Sequence, residues 1–349
     1  MLGLKKLISF LCVSCMMVAL LGGCAGDSDK PTLTVYNWGD YIDESVNDMF
    51  EEEFDCKVVY ATFEQNEDMY TKIKNSESTY DVVIPSDYMI ERMIKEDMLA
   101  PLDKEKIPNL QYINPYCMDL NFDPGNVYSV PYMWGTVGIV YNETMVDEAP
   151  TSWSDLWDPQ YEKNLFMMNS VRDSMMVGLL VCGFDMNSRD MSEIEQARDK
   201  LIEQKPLVLA YTGDEVKDKM IQGEAAMAVI YSGDAVTIMD PDDGNPDLHY
   251  VIPEEGTNIW FDNMCVLKDA PNKDLAMEYI NFMCREEIAA LNRDYINYLT
   301  PQTQVYESLD AETQAQYPTD DVLANCDVYY DLQDLASTYD QMWAGIMAD

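Results

Sequence analysis

Short apolar runs with period two alternate along this chain with stretches whose apolar residues recur at helical spacing. LTVYN (33–37) and CKVVYATF (56–63) read as strands, rich in β-branched and aromatic residues. Between them Val46, Met49 and Phe50 recur three and four residues apart, which predicts a helix over 43–54. The pattern continues with a helix over 66–76, a strand at YDVVIP (80–85) and a helix over 88–96. After YSVPYMWGTVGIVYN (128–142) the alternation begins again. It runs through LFMM (165–168), a helix over 174–182, LVLAY (207–211), a helix over 214–222 and AMAVIY (226–231). HYVIP (249–253) and NIWFDNMCVL (258–267) follow with no helix predicted between these strands. Helices over 273–283 and 286–292 and a long amphipathic one over 326–347 complete the chain.

Strands alternating with helices predict an α/β architecture with mainly parallel sheets. Two such blocks in 349 residues predict two lobes. Segments 131–142 and 257–267 are the two candidate crossovers. The expected division is 33–136 with 263–306 for the first lobe, and 137–262 with 307–349 for the second. A chain that leaves one lobe, builds the other and returns makes a hinged cleft suited to something small.

The first residues are set aside from the fold. Lys5 and Lys6 precede an apolar run over 7–21, short of the roughly 20 residues that a membrane span needs. The run ends in LLGGC, which resembles a bacterial lipobox. Residues 1–23 are then a signal peptide, Cys24 carries lipid, and 24–32 form a tether. The expected location is outside the cell, anchored to the outer face of the bacterial membrane.

Charge changes the picture next. Lys and Arg number 22 against 64 Asp and Glu, a formal net charge of −42. That argues against nucleic acid, whose binders carry a basic face, and favours encounter with cations. Nine cysteines include Cys12 and Cys15 in the signal and Cys24 at its end. The other six are scattered without zinc-like pairing, and free buried thiols are expected.

Ligands of open α/β sheets bind beyond the carboxyl ends of strands. There the chain places Asn37, Trp38, Gly39, Asp40 and Tyr41; then Ser86, Asp87 and Tyr88; then Asn169, Ser170 and Asp173. Tyr211, Thr212 and Asp214 follow, then Tyr231, Ser232 and Asp234, and Trp260 and Asp262 on the second crossover. An aromatic ring and an acid or hydroxyl recur, and Arg172 is the one basic exception. Aromatic faces attract cations and carboxylates bind ammonium, so the set suits an elongated organic cation with hydrocarbon between its amines. Structural roles compete: packing for Tyr88, Tyr211, Trp38 and Trp260, and first-turn acids for Asp173 and Asp214. Asp262, among apolar neighbours, most needs a cationic partner.

Other chemistry is thin. DPDDGNPD (240–247) lacks EF-hand spacing and reads as a solvated turn. A single histidine, His249, excludes histidine zinc clusters and disfavours a Ser-His-Asp triad. No phosphate-cradling or dinucleotide motif is present.

YNWGDYI, YDVVIPSDYMI, YSVPYMWGTVGIVYN, TSWSDLWDPQY and GTNIWFDNM, in that order, resemble successive signatures of the spermidine/putrescine-binding proteins, receptors of polyamine ABC transporters. The resemblance covers nearly all of the chain beyond the signal. It implies a type II periplasmic-binding-protein fold with the polyamine between two α/β lobes, permease subunits as partners, a monomer, no cofactor or metal, and no catalysis. It implies that Trp38 and Tyr41 line the ligand and that Asp40 lies near one amine. Ser86 and Tyr88 match contacts of the first lobe, and Asp173 an acid that grips an amine. Tyr231 falls where a Trp is common; Trp260 and Asp262 match a stacking and amine-binding pair, and Tyr298 an aromatic near the cleft. Gly39 replaces a hydroxyl-bearing residue, and Ser170 stands where some relatives carry a second acid, which leaves spermidine against putrescine open. A receptor for another small organic cation is the nearer alternative. An extracellular carbohydrate hydrolase with paired carboxylates is the more distant one.

Overall fold

A computed structural model describes residues 30–75 and 79–348. The expected signal peptide and Cys24 lie outside the described residues, as does most of the tether. The first block is β1 (Thr32–Trp38), α1 (Ser45–Phe54), β2 (Lys57–Phe63), α2 (Asn66–Asn75), β3 (Val82–Val83) and α3 (Asp87–Lys95). The long strand β4 (Ser129–Asn142) leads to β5 (Leu165–Met168), α4 (Val171–Val181), α5 (Met191–Gln204) and β6 (Val208–Thr212). Then come α6 (Val216–Ile221), β7 (Met227–Tyr231), α7 (Ser232–Ile238) and β8 (Leu248–Val251). β9 (Ile259–Val266) returns to α8 (Lys273–Met283) and α9 (Glu286–Ile296). The chain ends with α10 (Thr303–Ser308), α11 (Ala311–Gln314), α12 (Asp320–Leu323) and α13 (Ala336–Ala348).

The strands hydrogen-bond in the order β2-β1-β3-β9-β4-β7-β5-β6, with β8 against β4. β1 is parallel to β2 and β3, and β5 is parallel to β6 and β7. The crossover strands depart from the expected parallel order: β4 and β9 run antiparallel to each other and to their other neighbours. β4 is long enough to reach both blocks. Its residues Ser129 to Thr136 pair with β9, and Val137 to Tyr141 pair with β7, so one strand serves both blocks. Side chains on β4 are buried at all positions but Tyr141.

Three helical expectations change. α5, with Ile194, Ala197 and Leu201 buried on one face, was not predicted. α7, between β7 and β8, was likewise not predicted, whereas β8 and β9 follow one another with no helix between them, as expected. The terminal helix starts only at Ala336. Upstream, Asp327 bridges to Asn258 as extended chain and Gln333 adopts φ 53°, which a helix cannot hold. That extended stretch carries Tyr329 into the interior.

Packing rigidifies the first block. The Phe50 ring of α1 meets Tyr279 and Phe282 of α8 edge-on at 5.0 and 5.3 Å. Burying one such ring contributes roughly 1.5–3 kcal/mol. In the acidic loop, Asp240 Oδ1 accepts the Asp242 and Asp243 N–H groups and forms a tight turn. Cys56, Cys117, Cys265 and Cys284 are buried free thiols; Cys182 and Cys326 are free and half-buried. Among the described residues no helix is long and apolar enough to cross a membrane.

Candidate functional site

Asp262 lies on β9 and is 5% exposed. Its Oδ2 accepts the Tyr41 hydroxyl at 2.8 Å and its Oδ1 the Ser86 hydroxyl at 2.6 Å. Tyr41 belongs to the loop after β1, and Ser86 precedes α3 beyond β3. Two strand ends thus supply the donors. Burial pushes the Asp262 carboxyl up to about 7, while the Ser86 and Tyr41 hydrogen bonds pull it down. Asn66 anchors this corner, donating through Nδ2 to Ser86 Oγ and to the Tyr88 hydroxyl, each at 3.1 Å.

A second carboxylate, Asp173, sits in the first turn of α4 and is 4% exposed. Ser170 and Tyr231 donate their hydroxyls to Oδ2 at 2.5 and 2.9 Å, and Tyr329 donates to Oδ1 at 2.9 Å. Ser170 also caps α4 by accepting the Asp173 N–H at 3.4 Å. Every hydrogen bond that described side chains give these two carboxylates comes from a hydroxyl.

Aromatic rings join the acids. Trp260 stands two residues before Asp262, so both side chains leave the same face of β9. Its ring meets Tyr231 edge-on at 6.0 Å and Tyr298 at 5.0 Å. Tyr298 continues to Tyr41 at 5.8 Å. The wall therefore runs Tyr41, Tyr298, Trp260, Tyr231, with Asp262 bonded at one end and Asp173 at the other.

Seven of the ten expected residues form this constellation: Tyr41, Ser86, Asp173, Tyr231, Trp260, Asp262 and Tyr298. Tyr88 adjoins it through Asn66 and stacks edge-on against Tyr329 at 6.3 Å. Trp38 packs on Phe63 at 4.5 Å, and Asp40 accepts the Tyr295 hydroxyl at 2.6 Å. Neither touches the other eight by ring contact or hydrogen bond.

Two residues escaped the sequence reading. Tyr329 lies in a segment that looked helical, and no local signal distinguishes it. Arg172, the one basic residue among the strand ends, has no role in the sequence pattern. Its guanidinium lies over the Tyr329 ring at 4.3 Å and the Tyr88 ring at 5.1 Å, and Nη1 donates to the Tyr330 carbonyl at 3.1 Å. It is held by rings and a carbonyl and makes no hydrogen bond to either acid. Asp234, noted among the strand-end acids, is paired with Lys217 at 3.4 Å and is also hydrogen-bonded by Tyr298.

The family model described as bacterial extracellular solute-binding protein matches residues 46–319. The spermidine/putrescine-binding periplasmic protein of Salmonella typhimurium is 33% identical over 336 residues, covering 95% of this chain and 96% of that protein. Among solved structures, the spermidine/putrescine ABC transporter substrate-binding protein PotD of Streptococcus pneumoniae is 42% identical with TM-score 0.80. The match covers 91% of this chain and 99% of that one. The Tp0655 (TpPotD) lipoprotein of Treponema pallidum is 26% identical with TM-score 0.82, covering 90% of this chain and 99% of that one.

Proposed function

We propose a polyamine as the ligand of this site, starting from the premise that the chain belongs to the bacterial extracellular solute-binding protein family and has the periplasmic substrate-binding fold. It receives spermidine or putrescine and presents it to the permease of an ABC transporter, without chemical change. One observation carries this reading: two buried carboxylates, collared by hydroxyls and not by cations, stand at opposite ends of one aromatic wall. A linear amine matches it group for group. Its ammonium ends make charge-assisted hydrogen bonds to Asp173 and Asp262. Its methylenes lie on the Trp260 and Tyr298 rings, and cation–π attraction adds about 0.5–2 kcal/mol per contact. The names of the Salmonella and Streptococcus relatives, both of which include spermidine and putrescine, agree with that match.

We assign Trp38, Asp40, Tyr41, Ser86, Tyr88, Asp173, Tyr231, Trp260, Asp262 and Tyr298 to the ligand. In the division into 33–136 with 263–306, and 137–262 with 307–349, Asp173 lies in the second lobe and Asp262 is the last residue of its first segment, bonded to Tyr41 and Ser86 of the first lobe, so one ligand draws both lobes together. The protein acts as a monomer held by lipid on Cys24, a reading supported by LLGGC and by the description of the Treponema relative as a lipoprotein.

A thermal-shift panel tests the ligand class. Putrescine and spermidine raise the melting midpoint; glycine betaine and thiamine leave it in place. A shift with betaine and none with either polyamine overturns the assignment.

A further inference from the structure

Asp87 is a buried carboxylate with no part in the hydroxyl collars described above. It is 0% exposed, at the first position of α3 between Ser86 and Tyr88. Its Oδ1 accepts the Tyr88 N–H at 2.6 Å, and its Oδ2 accepts the Phe261 N–H at 3.1 Å. Phe261 stands between Trp260 and Asp262 on β9. Beside this contact, Ser86 and Asp262 form an isolated antiparallel bridge. One side chain thus ties the strand bearing Trp260 and Asp262 to the helix bearing Tyr88.

A carboxylate offers one oxygen to each of these two N–H groups, where asparagine or threonine would offer a single acceptor. An acid in that position carries a desolvation cost and calls for a role. Burial pushes the Asp87 carboxyl up to about 8 against the pull of its two N–H donors. The charged groups facing it are Asp262 from β9, which raises it further, and Arg172 from α4, which lowers it.

We propose that Asp87 is a positioning residue for cation capture, pinning the Trp260–Asp262 segment to α3 and setting a second buried carboxyl beside the one that receives the cation. This rests on the polyamine reading of the site. Two neighbouring buried acids repel when both are charged, so their protons are coupled. An ammonium on Asp262 relieves that repulsion, and capture therefore releases a proton.

The test is calorimetric titration of the purified protein with spermidine and with putrescine from pH 6 to pH 9. It is run in two buffers of different ionisation enthalpy, with melting curves for each variant. In the wild type affinity rises with pH and binding releases protons. Asp87→Asn binds about tenfold more weakly at pH 8 and releases fewer protons, since one coupled group is gone. Asp87→Glu keeps the charge, and so keeps the proton release even where its longer reach lowers affinity. An Asp87→Asn protein with wild-type affinity and proton release overturns the proposal. So does one that is weaker but releases as many protons, because Asp87 is then a structural tie alone. A wild type that binds neither amine sinks the polyamine reading itself, and this proposal with it.

Discussion

Tyr329 donates its hydroxyl to Asp173 across 2.9 Å, although 156 residues separate the two in sequence. Three segments thus converge on one carboxylate, with Ser170 on its own helix cap and Tyr231 at the end of β7. Such a collar holds the acid in one orientation and still leaves one lone-pair site, on Oδ1, for an ammonium.

Tyr329→Phe tests the collar. Removing one hydrogen bond to a carboxylate costs about 1.5 kcal/mol, or roughly tenfold in affinity. Titration calorimetry with spermidine should show that loss while the Phe ring keeps its packing. Wild-type affinity would mean that Asp173 is oriented by Ser170 and Tyr231 alone.

Asp262→Asn should separate binding from stability. With the charge gone, a buried ammonium loses its partner at a cost of roughly 3–5 kcal/mol, and polyamine affinity falls by two orders of magnitude or more. In the ligand-free protein the same change removes a desolvated acid, so the urea midpoint at pH 8 should rise. A variant that binds as the wild type does would take Asp262 out of the site.

The pH dependence follows from two raised carboxyls, Asp262 at about 7 and Asp87 at about 8. Both exceed the ordinary Asp value of about 3.9, so the folded chain holds protons that the unfolded chain has released. Their stability contribution is therefore complete below pH 4 and is lost as pH rises through 7 to 8. The slope is about 1.4 kcal/mol per pH unit for each group. Polyamine affinity runs the opposite way and rises through pH 7, because the ligand needs the ionised form. Urea unfolding of wild type and Asp262→Asn from pH 5 to 8.5, without ligand, should show the steeper decline in the wild type. Parallel curves would contradict the assignment.

Much of this arrangement was legible in residues whose role depends on their own strand. Tyr41, Ser86 and Asp262 follow or occupy strands whose period-two pattern is plain, and rules for strand ends point at them directly. The antiparallel crossovers were harder to foresee, because the alternation of β4 says nothing about which partner each half meets. Tyr329 was beyond local reading. The amphipathic pattern around it persists while the Asp327–Asn258 bridge holds the backbone extended and the left-handed Gln333 bars a continuous helix. Asp87 could be seen only as a helix-start acid, since its bond to Phe261 depends on tertiary pairing. Arg172 stood out by charge, yet its three facing rings come from distant segments.

That stacking gives another prediction. Arg172→Lys keeps the charge but loses the planar group that lies against Tyr88 and Tyr329. Stability should fall by about 1 kcal/mol in denaturant titration, within the range of cation–π contacts at partly desolvated sites. An unchanged midpoint would show that charge alone suffices there.

Gly233, in α7, sits where the two blocks meet. A Cβ built there would overlap Tyr298 Cδ1 and Cε1, far inside van der Waals contact. The ring has little room to retreat, because Trp260 lies 5.0 Å from it, Tyr41 lies 5.8 Å away, and its hydroxyl bonds to Asp234. Alanine at position 233 would otherwise suit the helix, gaining up to about 1 kcal/mol in propensity. The clash is relieved most cheaply by moving α7 of the second block away from Tyr298, which follows α9. Gly233→Ala should therefore favour separated blocks, with polyamine affinity reduced about tenfold or more, equal to about 1.4 kcal/mol. Its unfolding midpoint should stay near that of the wild type, and small-angle scattering should show a larger radius without ligand. Wild-type affinity and radius together would mean that the helix yields locally, and that the Gly233–Tyr298 contact does not govern how the cleft closes.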